Sequence, residues 1–352
     1  MSSRGDRLAA LVAESELDFL LVTNLVNVRY LTGFTGTNGA CVCGPEARIF
    51  LTDFRYTQRA KEEVDGWDVV TVADDWLGEI AERLAGKTGF EDDHMSVRTL
   101  ERLKGKLPEG VEPVAAGGKV EQLRRVKDER ELQAIAAASK LADEVWAWSL
   151  ERGLAGRTER DVAGAAEARI RELGAKPSFP AIVAAGPNGA LPHAEPGERE
   201  IGRGELVVFD MGAELDGYCS DGTRTFATGE PGEHAREVYG LVQAAQAAAL
   251  EEVTAGVAGE AVDAVARKAI EAGGHGDRFG HGLGHGVGLE VHEAPRLSHR
   301  SEDVLMSGEV VTVEPGVYLP EELGVRIEDL VVVTEGRCRN LSGLPKDLQI
   351  VE

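Results

Sequence analysis

The stretch Val207–Phe226, VVFDMGAELDGYCSDGTRTF, sets two apolar runs on either side of Asp216-Gly217. That dipeptide is the strongest short-range signal for a two-residue hairpin turn. A turn there places Gly212 opposite Asp221. Asp210, two residues before Gly212, lies on the same face of its strand, because side chains alternate with a period of two. The hairpin therefore brings Asp210 and Asp221 together. Aspartate is depleted in strands, and like charges side by side on a sheet destabilise it. Such a pair needs either water around it or a cation between its members. Solvation is the commoner fate of carboxylates on a hairpin, so this pair alone does not decide.

The rest of the C-terminal two thirds does. Apolar residues at helical spacing fill residues 130–154, and a second helix opens at the N-cap candidate Thr158 and stops at Gly174. Strands follow through residue 228. The same order then recurs, with helices in 236–256 and 258–274 and strands in 308–319 and 323–336. One helix-helix-strands unit is used twice, by element order and not by identity between the halves. In the second unit Glu314 ends the apolar run VVTV before Pro315-Gly316. Glu328 sits in GVRIEDLVVV, with Val325 and Ile327 alternating against it and Arg326 on its own face. Taken singly, each glutamate reads as a surface residue.

Between these helices and strands lies HGLGHGVGLEVHE, His281–Glu293. Glycine occupies every second position from 280 to 288, and each interior glycine costs a helix about 1 kcal/mol relative to alanine. The segment is therefore extended chain or loop. His281 and His285 then point the same way, and the bare backbone opposite admits a close neighbour. His292, an odd number of residues beyond His285, needs a bend to join them. The His281/His285 spacing matches a helical zinc motif, but Gly282 stands where that motif has glutamate. Four acids on two equivalent hairpins plus a glycine-flanked histidine form an oxygen-rich set with one imidazole. Such a set suits Mn²⁺, Co²⁺ or Zn²⁺, and bridging carboxylates suit two ions.

The remaining sequence sets bounds. At 352 residues the chain has room for two domains. Residues 1–120 alternate helix and strand as a smaller α/β domain, and the division falls near VEPVAAGGKVEQLRRVKDERE, where Pro and paired Gly precede a charged helix start. A formal charge of −23 without a basic stripe argues against nucleic acid. No apolar run reaches the ~18 residues of a membrane span, so the chain reads as cytoplasmic with no membrane partner. Cys41, Cys43, Cys219 and Cys338 are too scattered for a disulfide framework and read as small buried hydrophobes.

With these motifs in view, the chain resembles the pita-bread metallopeptidases along its whole length. FDMGAELDGYCSD, GHGVGLEVHE, VEPGVY and RIED are similar to that family's ligand segments, in the family's order. The resemblance implies an α+β fold: a C-terminal pita-bread (creatinase/aminopeptidase-like) domain, 121–352, with an internal pseudo-twofold repeat, after an α/β creatinase-type N-terminal domain, 1–120. It implies two divalent ions, Mn²⁺ first and Co²⁺ or Zn²⁺ as alternatives, held by Asp210, Asp221, His285, Glu314 and Glu328. Within the family, His281 together with YLTGFTGTNG, LTDFRY and PHAEPG resembles the Xaa-Pro branch. The implied function is an Xaa-Pro aminopeptidase acting on proline-containing peptides. Glu314 moves protons, His292 and His193 assist at the substrate, His281 and His193 border the proline, and Arg326 holds a ligand carboxylate or binds substrate. The alternatives are an Xaa-Pro dipeptidase, in which an arginine recognises the carboxylate after proline, and a metal-free peptide-binding relative. A homodimer is a further expectation from the resemblance.

Overall fold

The computed structural model describes residues 3–351, which fall into two compact units, Met1–Arg124 and Arg125–Glu352. The first unit is a six-stranded mixed sheet in the spatial order Asp68–Val72, Arg48–Asp53, Gly39–Cys43, Phe19–Val22, Lys87–Phe90 and Glu112–Ala115. Helices pack on the sheet. The helix Lys119–Arg125 occupies the position where composition puts the domain boundary, so the Pro and paired Gly there precede a helix that largely belongs to the first unit.

The second unit repeats one plan twice. Helices Glu129–Leu150 and Glu159–Glu172 share an apolar core with strands Ile182–Ala185, Leu206–Asp210 and Thr223–Ala227. Helices Glu233–Glu252 and Gly259–Ala272 share another with strands Val310–Val313 and Asp329–Val332. Even an isolated bridge recurs: Thr158 pairs with Glu200 in the first half, and Ala258 with Val304 in the second. Thr158 caps its helix by accepting a hydrogen bond from the Asp161 amide.

Each half carries one long hairpin that breaks midway. In the first, Leu206–Asp210 pairs with Thr223–Ala227, and Ala213–Leu215 with Tyr218–Cys219. The turn between them is Asp216-Gly217, both with positive φ (50° and 83°), as a type I′ turn requires. In the second hairpin Val310–Val313 pairs with Asp329–Val332, and Gly316–Leu319 with Leu323–Arg326. Register is kept across each break, since Val313 faces Asp329 and Gly316 faces Arg326. Glu314 therefore lies opposite Glu328, both in the break. Asp210 and Asp221 border the corresponding break of the first hairpin.

The glycine-histidine stretch forms the short strand Gly284–Gly286, between Glu293–Leu297 and Val310–Val313. What approaches its bare backbone is other backbone. A Cβ on Gly284 would lie 2.0 Å from the Thr312 carbonyl oxygen, and one on Gly286 would lie 2.2 Å from that of Ala294. Gly284→Ala should therefore destabilise the fold by about 1–3 kcal/mol, the usual cost of overpacking. Urea denaturation reads this, and an unchanged midpoint would contradict the packing described.

Candidate metal centre

The two hairpin breaks and the glycine-flanked strand converge on one cluster. His285 Nε2 lies 3.3 Å from Glu314 Oε1 and 3.6 Å from Asp221 Oδ2. Asp210, Asp221 and Glu328 bring one oxygen each within 4.8 Å of one another, as do the ligand atoms of His285, Glu314 and Glu328. Asp210, Asp221, His285 and Glu328 are buried, whereas the Glu314 side chain keeps 17% of its surface accessible.

Supporting bonds orient these groups from behind. Arg326 Nη2 donates to Asp210 Oδ2 at 2.6 Å, and Thr223 Oγ1 donates to Glu328 Oε2 at 2.8 Å. Thr312 Oγ1 donates to Glu314 Oε1 and accepts from the His285 amide. The other oxygens, Asp210 Oδ1 and Glu328 Oε1, are buried with no hydrogen-bond partner. A bare buried carboxylate oxygen is costly, and a divalent cation is the chemistry that satisfies it. The donor set, four carboxylates and one imidazole, fits two hard or borderline ions.

Electrostatics point the same way. Burial raises the carboxyl pKa of both Asp221 and Glu328, and like charge adds to it, from Asp210 on the first and Asp221 on the second. At Glu314 burial also pushes upward, but the hydrogen bond and charge of His285 outweigh it and bring the group down to about 2. His285 is raised in turn, its bond to Glu314 overcoming burial. Without a cation the cluster thus retains protons on groups that must lose them to act as ligands.

Beside the cluster opens a cavity of about 480 Å³, of a size to take a small ligand. Its lining brings together every residue singled out from the sequence: His193, Asp210, Asp221, His281, His285, His292, Glu314, Arg326 and Glu328. The bend that His292 required is the chain reversal between the antiparallel strands Gly284–Gly286 and Glu293–Leu297, and the His285 and His292 rings lie 4.3 Å apart.

Two of the cavity-lining residues are already engaged by other protein groups. Arg326 is buried, and four of its five N–H groups are taken, by Thr223, the Pro192 carbonyl, Tyr318 and Asp210. It therefore holds Asp210 in place and has one N–H left over. His281 is likewise occupied. Its Nδ1 faces the Gly282 carbonyl at 2.7 Å, and its Nε2 faces the Tyr318 hydroxyl at 2.8 Å. The carbonyl needs a donor, so the proton sits on Nδ1, while the Tyr318 hydroxyl accepts from Arg326 and donates to Nε2. His281 offers the cavity its ring, not a free nitrogen.

Phe179, Ile182, Tyr318 and Arg296 were not singled out from the sequence, yet three of them line the cavity and Tyr318 orients His281. Arg296 was legible in principle. In VHEAPRLS, His292, Arg296 and Ser298 line the cavity whereas Leu297 is fully buried, an alternation of period two. Arg296 lies directly across the ladder from His285, and its guanidinium forms no ion pair among the described residues.

Residues 133–335 match metallopeptidase family M24, and residues 4–126 match the creatinase/prolidase N-terminal domain. The chain belongs to metallopeptidase family M24. Similar M24-type chains include the Xaa-Pro dipeptidase of Pyrococcus furiosus, 36% identical over 99% of this chain and 100% of that one. Two solved structures are close in shape. An Xaa-Pro dipeptidase from Bacillus anthracis has a TM-score of 0.95 and 38% identity over 99% of each chain. An X-Pro aminopeptidase from Thermotoga maritima has a TM-score of 0.92 and 35% identity, covering 98% of this chain and 100% of that one. The pita-bread fold expected from the sequence motifs stands, with its creatinase-type N-terminal domain. Among the described residues no helix is long and apolar enough to cross a membrane.

Because burial and like charge raise the carboxyl pKa of Asp221 and Glu328 in the metal-free cluster, Mn²⁺ loading of this M24 centre should release protons, with affinity falling as pH falls. Calorimetry in buffers of different ionisation enthalpy measures this. Mn²⁺ binding without proton release would contradict the charge state assigned to the cluster.

Proposed function

We propose that the chain is an Xaa-Pro dipeptidase that hydrolyses the bond between an N-terminal residue and a C-terminal proline. Arg296 carries this reading. It is an exposed cation in the cavity wall, paired with no carboxylate among the described residues, and placed across from His285. A dipeptide held at the cluster has its free carboxylate one residue beyond the scissile bond, within reach of such a group, and guanidinium-carboxylate pairing is strong and directional. Its similarity to the Xaa-Pro dipeptidases of Pyrococcus furiosus and Bacillus anthracis supports it as well. The aminopeptidase that the motifs first suggested retains the Thermotoga relative in its favour.

The ions we assign are two, Mn²⁺ first, held by Asp210, Asp221, His285, Glu314 and Glu328. When bound, they supply a Lewis acid for the scissile carbonyl and lower the pKa of water toward 7. The side chains do the rest. Glu314 is the cluster carboxylate most open to the cavity. It can take a proton at a carboxylate oxygen and return it to the departing imino nitrogen. His193 and His292, both exposed to the cavity, donate hydrogen bonds to the substrate carbonyl as negative charge develops. The His281 ring and Pro192 border the proline. We assign a proline-containing peptide as the substrate, the cytoplasm as the compartment and a homodimer as the assembly, all on family resemblance.

Mass spectrometry of Mn²⁺-loaded enzyme with Xaa-Pro dipeptides, Xaa-Pro amides and Xaa-Pro-Yaa tripeptides tests the reading. Dipeptides should be cleaved at least tenfold faster than the amides, and Arg296→Met should abolish that preference. Efficient release of Xaa from the tripeptides would establish the aminopeptidase instead.

A further inference from the structure

The strand Glu293–Leu297 carries Arg296 and follows His292, so its placement sets one wall of the cavity. Its two ends are held by basic residues from one short segment that the site does not otherwise use. At one end Lys127 Nζ donates to Glu293 Oε1 at 2.7 Å, with side-chain exposures of only 1% and 7%. Towards the other, the Arg296 amide donates to Asp303 Oδ2 at 2.8 Å, and Asp303 Oδ1 accepts from Arg125 Nη1 at 2.9 Å. Arg125 also donates to Glu309, and the Lys127 amide donates to the Gly308 carbonyl. The segment is thereby tied to the residues leading into strand Val310–Val313, whose last residue precedes Glu314.

We propose that Arg125 and Lys127 are positioning residues for substrate recognition: they clamp the strand bearing Arg296 at both ends and so fix the carboxylate-binding wall relative to the metal cluster. A buried ammonium has to be paired, because an isolated charge in the interior is strongly penalised. Glu293 is therefore held at one spot, one residue from His292 and three from Arg296. The segment RRVKDE, which in sequence marks only a domain boundary and a helix start, has this second role. The inference rests on the dipeptidase reading of Arg296.

The test compares Lys127→Met and Asp303→Ala with the unchanged enzyme, each loaded with Mn²⁺. The measurements are KM and kcat for an Xaa-Pro dipeptide and for its amide, together with bound metal. In Lys127→Met the dipeptide KM should rise about tenfold, kcat should change less than twofold, and the preference over the amide should fall about tenfold at unchanged metal content. Asp303→Ala alters the partly exposed end of the clamp and should move the same quantities in the same direction; it decides the matter if Lys127→Met does not fold. Unchanged KM and preference would overturn the proposal, as would a loss confined to kcat and metal content. If Arg296→Met loses the preference while both clamp variants keep it, the clamp is wrong and the dipeptidase reading stands. If Arg296→Met also keeps it, both fall.

Discussion

Four carboxylates crowded against one imidazole are costly to fold without a compensating charge. Burial and mutual repulsion raise the pKa values of Asp221 and Glu328, and two carboxylate oxygens, on Asp210 and Glu328, are left without a hydrogen-bond partner. Divalent cations would satisfy this arrangement, and the surrounding structure orients the carboxylates toward one another. Arg326 and Thr223 fix one oxygen of Asp210 and one of Glu328, leaving the second of each bare. The orphaned oxygens are thus a consequence of orientation and not of poor packing.

The repeated plan explains how the crowding is achieved. A regular hairpin would spread its acids along a ladder. Here each hairpin breaks midway, and its acids lie at the break, where the ladder is interrupted and side chains from two hairpins can meet. The halves are tied together across the cluster by the Glu328 amide donating to the Thr223 carbonyl and by reciprocal bonds between Thr225 and Arg326. Glycines 284 and 286 then let the strand bearing His285 lie against neighbouring carbonyls at a distance that no side chain allows.

Much of this was legible in the chain. The Asp216-Gly217 turn determines the register that brings Asp210 and Asp221 together, and alternation in VRIED places Arg326 and Glu328 on one face. Less accessible were features set by contacts far apart in sequence. That four of the five N–H groups of Arg326 are taken depends partly on Pro192 and Tyr318, and that His281 has no free nitrogen depends on Tyr318. Arg296 had a local signal, the alternation after His292, but a bulge at His285 separates it from the glycine-histidine pattern and hides its pairing with that residue. The partners of Lys127 and Arg125, 166 and 178 residues away, leave no trace in the local sequence.

The most direct measurement is anomalous diffraction from a crystal soaked in Mn²⁺. The account predicts two peaks, both within the cluster formed by Asp210, Asp221, His285, Glu314 and Glu328. No peak, or a single ion bound away from Asp210 and Glu328, would contradict it.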